Sequence, residues 1–112
     1  MNIVSFYSMP TNIEKLLSNQ DYAYAVFHPK GVFRGIVEII HSNPLHPQWH
    51  NLVIPVEDTD YAYVYTSDGW KKDNLKEEVW NQLFDEYLIC FEYICKHKNE
   101  IISHLSDAKK MI

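Results

Sequence analysis

A chain of 112 residues with 46% hydrophobic and 14% aromatic side chains is long enough to bury a core and too apolar to stay disordered. Its formal net charge is −5, with Arg34 as its single arginine. That balance makes nucleic acid an unfavourable partner, because sequence-independent binding to phosphates needs a basic stripe. No apolar run approaches the ~20 residues that cross a bilayer, so no membrane partner is expected, and the start of the chain has no signal-peptide pattern.

In chain order, Ile3 to Tyr7 reads as a short strand, broken by Met9-Pro10. Thr11-Asn12-Ile13-Glu14 has the spacing of a capping box and predicts a short helix through Leu16 and Leu17. Tyr22-Ala23-Tyr24-Ala25-Val26-Phe27 alternates and is read as a strand, followed by a turn at His28-Pro29-Lys30-Gly31. Phe33, Ile36, Val37 and Ile40 then recur at helical spacing, which predicts a helix over Val32–His41 that Pro44 prevents from continuing.

The most unusual stretch is His41-Ser42-Asn43-Pro44-Leu45-His46-Pro47-Gln48-Trp49-His50-Asn51. Beyond it, Leu52-Val53-Ile54 is a strand ended by Pro55, Glu57-Asp58-Thr59-Asp60 a polar turn, and Tyr61–Tyr65 a second strand. Asp68-Gly69 is a hairpin signal leading into a short strand at Trp70-Lys71-Lys72. Tyr61, Tyr63 and Tyr65 share one face of their strand. Such a row usually packs under a helix, leaving Ala62 and Val64 on the thinner side; exposed, it would stack single-stranded bases.

From Asp73 to Ile112 there is neither glycine nor proline. Asp73 or Asn74 is a suitable N-cap, and Trp80, Phe84, Tyr87, Phe91, Ile94, Lys98, Ile101, Leu105, Ala108 and Ile112 form a seam at coiled-coil spacing. One unbroken helix here would be roughly 55–60 Å long, against a width of roughly 35 Å for a globule of this size. Either it breaks near His97-Lys98-Asn99 or its end projects. The sequence favours projection and self-association through Ile94, Lys98, Ile101, Leu105 and Ala108, with a globular part over 1–95 and an appendage over 96–112. Cys90 and Cys95, five apart on a helix, face different ways and are read as reduced thiols.

The loop admits three readings. His41, His46 and His50 offer a zinc-ligand set, but the usual partner cysteines are missing and no fourth ligand stands out. Alternatively, the imidazoles and amides satisfy backbone groups that the prolines leave unpaired, with Trp49 as a lid. In the third reading, His41, Asn43, His46, Trp49, His50 and Asn51 are a recognition surface for a protein partner. His50-Asn51 is only a faint trace of a nuclease motif, since the helix that follows has no histidine in its first turns. No Ser/His/Asp triad, phosphate-binding glycine loop or carboxylate pair stands out either.

The residues Ile39-Ile40-His41-Ser42-Asn43-Pro44, His46-Pro47-Gln48-Trp49-His50-Asn51, Val53-Ile54-Pro55, Tyr61, Val64-Tyr65 and Gly69-Trp70-Lys71 resemble a domain of unknown function that recurs in proteins of giant viruses, the nucleocytoplasmic large DNA viruses. The resemblance covers about Val32 to Leu83. It implies a helix at Val32–His41 and a viral protein working in the cytoplasm or nucleus of an infected cell. It supplies no catalytic residues.

The fold expected is α+β: a small antiparallel sheet from Ile3–Tyr7, Tyr22–Phe27 and the Leu52–Trp70 hairpin, packed on a short helix and a long C-terminal helix. The function expected is a non-enzymatic interaction module without a cofactor, pairing with itself and binding another protein. The competing expectation is a metal-dependent, nucleic-acid-associated protein or nuclease-like enzyme built on the loop histidines, with zinc as its cofactor.

Overall fold

The computed structural model of the chain describes residues 2–55 and 60–103. Among the described residues the fold is α+β, with a three-stranded antiparallel sheet whose strands neighbour one another in chain order and three complete α-helices. The helices are α1 (Asn19–Val26), α2 (Val32–His41) and α3 (Trp80–Lys96); the strands are β1 (Leu52–Val53), β2 (Tyr61–Thr66) and β3 (Gly69–Asn74). The chain divides into two compact units, one of Met1–Thr11 and Ile40–Asp85, the other of Asn12–Ile39 and Glu86–Ile112.

The first unit holds the sheet. The hairpin pairs Tyr65 with Trp70, Tyr63 with Lys72 and Tyr61 with Asn74, and β1 adds Leu52 opposite Val64 and Val53 opposite Tyr63. Gly69 follows the two-residue turn with φ 105°, a conformation that L side chains resist. Ala62 and Val64 point inward and are fully buried, as are Phe6 and Val79, and Trp49, Leu52 and Leu83 are nearly so. The small β-branched and alanine positions are therefore the core side of β2, and the tyrosines are the outer side.

Two predicted strands are not strands. Around Phe6–Ser8 the chain closes a 3-10 turn, with the Ser5 hydroxyl accepting from Tyr7 N–H and Ser8 N–H donating to the Ser5 carbonyl. This local side-chain bonding competes with a ladder. Tyr22–Phe27 lies mostly in α1, started by a reciprocal capping box in which Ser18 accepts from Asp21 N–H and Asp21 accepts from Ser18 N–H. The box expected at Thr11 is replaced by a 3-10 turn over Ile13–Leu16, preceded by Asn12 in the left-handed region without a side-chain cap bond.

In the second unit α1 and α2 meet where α2 has no side chain. A Cβ at Gly35 would lie 2.5 Å from the Ala25 carbonyl oxygen and 2.6 Å from its Cα. Tyr22 stacks on Tyr93 with centroids 4.6 Å apart and donates to the Glu14 carbonyl at 2.7 Å, and Phe33 stacks on Phe91.

The C-terminal region is not one helix from Asp73. Strand β3 runs through Asn74, whose side chain then caps a π-helical turn over Leu75–Val79 by accepting from Glu77 N–H at 2.9 Å. Helix α3 ends at Lys96, His97 is a turn, and residues 98–103 are helical again. Helical bonds span this turn, from His97 N–H to the Tyr93 carbonyl at 3.0 Å and from Ile101 N–H to the His97 carbonyl at 3.1 Å. Tyr87 and Ile101 are fully buried and Ile94 nearly so, while Lys98 is exposed; Leu105 and Ala108 lie outside the described residues. The described apolar positions at Tyr87, Ile94 and Ile101 are thus covered by the chain itself. Cys90 and Cys95 are free thiols, one buried and one exposed.

Candidate recognition surface

The histidine-rich loop is built as an internal clamp. Asn43 accepts from Leu45 N–H through its side chain and from His46 N–H through its carbonyl, turning the chain after α2. A 3-10 turn over Pro47–Trp49 follows, and His46 stacks on the buried Trp49 with centroids 4.6 Å apart. His50 Nε2 lies 2.7 Å from the Asn43 carbonyl and must donate to it, since a carbonyl only accepts.

His41 and Asn51 form the centre of the clamp. Asn51 is fully buried, and its amide nitrogen donates to the Val4 carbonyl at 2.9 Å. Its oxygen therefore faces His41, whose Nδ1 lies 2.8 Å from Asn51 Oδ1 and 3.1 Å from the Trp49 carbonyl. With two acceptors against it, Nδ1 carries the ring proton. Burial pushes the His41 pKa down to about 4, against the smaller opposing effect of these two bonds, so the ring is neutral at neutral pH. Val4 N–H also donates to the Gln48 carbonyl, and the loop thereby ties the start of the chain to β1.

The partner-binding set read from the sequence is largely inaccessible. His41, Asn43, Trp49 and Asn51 are buried, and His46 and His50 are half-buried and engaged within the loop. Among the described residues no three His, Cys, Asp or Glu side chains are grouped as a metal ion requires. His41, His46 and His50 are adjacent in sequence but are not brought to one point.

Among the described residues of this unit, the outer face of the sheet gathers several exposed apolar side chains, apart from Leu45 and Phe84 elsewhere. Val53 is 50% exposed, Tyr61 43%, Tyr63 42% and Trp70 51%. The register sets them side by side, one or two per strand, with Tyr65 edge-on to Trp70 at a centroid distance of 5.6 Å. Val53, Tyr63 and Trp70 line an open, apolar hollow of about 210 Å3. At its margin Lys72 Nζ stands 3.7 Å above the centre of the Tyr61 ring. On the opposite face the Tyr7 hydroxyl donates to Asp73, which also lies 3.9 Å from Lys71 Nζ.

The tyrosine row was visible in the sequence, but its direction was not. Val53 and Trp70 are read in the sequence as strand and motif residues, but not as members of an exposed face. The signal that finds them is the hairpin register, because Asp68-Gly69 sets Trp70 opposite Tyr65 and Lys72 opposite Tyr63.

A second polar cluster lies in the other unit. Tyr24 donates to Glu38 at 2.8 Å, and His28 Nδ1 accepts from Lys30 N–H, which leaves its Nε2 proton facing Glu38. Burial raises the Glu38 pKa, but the bonds from Tyr24 and His28 outweigh it and hold the carboxyl below its usual range. This cluster fastens the end of α1 to α2. In the same unit, the Cys90 thiol is pushed up to about 12 by burial and is a poor nucleophile.

No family model, curated protein or solved structure matches this chain. No helix among the described residues is long and apolar enough to cross a membrane.

Proposed function

We propose that this protein is a non-enzymatic interaction module that binds a protein partner on the outer face of its β-sheet. One observation carries this reading: Val53, Tyr63 and Trp70, from three different strands, stand about half exposed around one apolar hollow. Tyrosine and tryptophan are the side chains that most often supply binding energy at protein interfaces, because they bury much area at small conformational cost. A rigid sheet holds them in register before the partner arrives.

This moves the proposed contact away from the His41–Asn51 loop, whose polar groups are spent on the chain's own backbone. For pairing through the C-terminal helix, Tyr87, Ile94 and Ile101 offer little surface because they are covered within the chain, and Leu105 and Ala108 lie outside the described residues. A viral protein working inside an infected cell, the setting that the loop resemblance implies, is compatible with this reading.

The test is selection of linear peptides from a random displayed library on the full chain, followed by affinity measurement against a Tyr63→Ser/Trp70→Ser double variant of unchanged melting temperature. The reading expects selected peptides that lose at least about tenfold in affinity for the variant. Peptides that bind the variant equally well, or a selection that yields none, would contradict it.

A further inference from the structure

The net charge of this chain is confined to the unit that holds the sheet. Residues 1–11 and 40–85 contain eight carboxylates (Glu57, Asp58, Asp60, Asp68, Asp73, Glu77, Glu78 and Asp85) against three lysines, whereas the other unit holds seven acidic and seven basic residues. The aromatic face therefore belongs to a strongly acidic body whose partner unit is electrically balanced. Asp60, just before β2, and Asp68, in the hairpin turn, are both exposed. Of the lysines beside the face, Lys71 lies near Asp73 on the inner side and Lys72 is seated over Tyr61.

We propose that the occupant of the sheet face is a basic peptide segment, with a lysine or arginine side chain seated against the Tyr63 and Trp70 rings. This rests on the reading of that face as the binding surface and adds the chemistry of what binds. Three features lead to it. The hollow lined by Val53, Tyr63 and Trp70 is apolar and offers an anion no hydrogen-bond donor of its own, and Lys72 at its margin is already engaged with the Tyr61 ring. Ring faces, by contrast, attract a cation through their quadrupole, and tryptophan does so most strongly. The same face already shows this contact, with Lys72 Nζ 3.7 Å from the Tyr61 centroid. Finally, the acidic field of the unit draws positive chains toward the face and repels phosphate backbones.

The experiment is isothermal titration of the full chain with a short lysine–glycine repeat peptide. The controls are the same peptide with norleucine for lysine, an uncharged proline-rich peptide and a single-stranded thymidine oligonucleotide. Each is repeated on Trp70→Leu and Tyr63→Leu variants whose melting temperatures match the parent. Leucine keeps the apolar contact and removes the ring face. The inference expects binding of the lysine peptide, weakened about tenfold by either variant and weakened again by added salt, with no binding of the norleucine peptide. Lysine-peptide binding that ignores both variants would show charge attraction alone and overturn the inference. Binding of the norleucine or proline-rich peptide through Trp70, with the lysine peptide inert, would also overturn it while leaving the sheet face as a protein-binding surface. Oligonucleotide binding lost in the variants would overturn both readings. No binding of any probe would overturn the cationic partner; the library selection above then judges the face independently.

Discussion

Asn51 shows how much structure one polar side chain organises in this fold. Its amide donates to the Val4 carbonyl and its oxygen accepts from His41, with no exposure to solvent. Asn51→Leu strands both partners in the interior, and the expected loss is about 3 kcal/mol of unfolding free energy in urea titration. His41 adds a pH dependence. It titrates near 6.5 when unfolded and at about 4 in the folded chain. Between those values the unfolded chain holds a proton that the folded chain does not. The stabilisation is therefore complete above about pH 6.5 and is lost as pH falls toward 4, amounting to about 3 kcal/mol. Urea titrations at neutral and acid pH should show this slope, and His41→Gln should remove its contribution. The loop's oddity was legible in the sequence, since so many histidines and asparagines between prolines must do something specific. Whether they face outward or inward was not, because the groups that recognise a partner are the same groups that satisfy a buried backbone.

At the scale of elements, what was legible followed from pattern length. Helix α2 has four apolar positions in register over ten residues and a proline that stops it, and it forms as read. The α1 segment is eight residues long, too short for alternation to separate two periods, and its start is decided by Ser18 and Asp21 rather than by its apolar residues. Ser18→Ala should cost about 1 kcal/mol in thermal or chemical unfolding. Gly35 makes the opposite case to ordinary helix propensity. Alanine in a helix is normally better than glycine by about 1 kcal/mol. Here the added methyl meets the Ala25 backbone at 2.5–2.9 Å, which is main chain and cannot rotate away. Gly35→Ala should therefore destabilise by about 2 kcal/mol or more; a neutral or stabilising result in urea titration would show that α1 and α2 do not approach so closely.

For the whole molecule, the long apolar seam and the short tyrosine row exchange roles relative to their appearance in the sequence. A seam at coiled-coil spacing is equally the inner side of a helix packed on its own chain, and beyond the turn at His97 the helical residues 98–103 include the buried Ile101. Ile101→Ala should lower stability by about 3 kcal/mol, with no change in the molecular mass seen by light scattering. The sheet face behaves oppositely. Trp70→Ala removes a half-exposed ring whose edge-on contact is with Tyr65, and stability should change by no more than about 1 kcal/mol, while partner binding should be lost. The measurement that bears most directly on this is amide chemical-shift mapping of the full chain as a library-selected peptide is added. The account predicts shifts centred on Val53, Tyr61–Tyr65 and Trp70–Lys72. Shifts centred instead on Leu45–Gln48, with the strands unmoved, would contradict it.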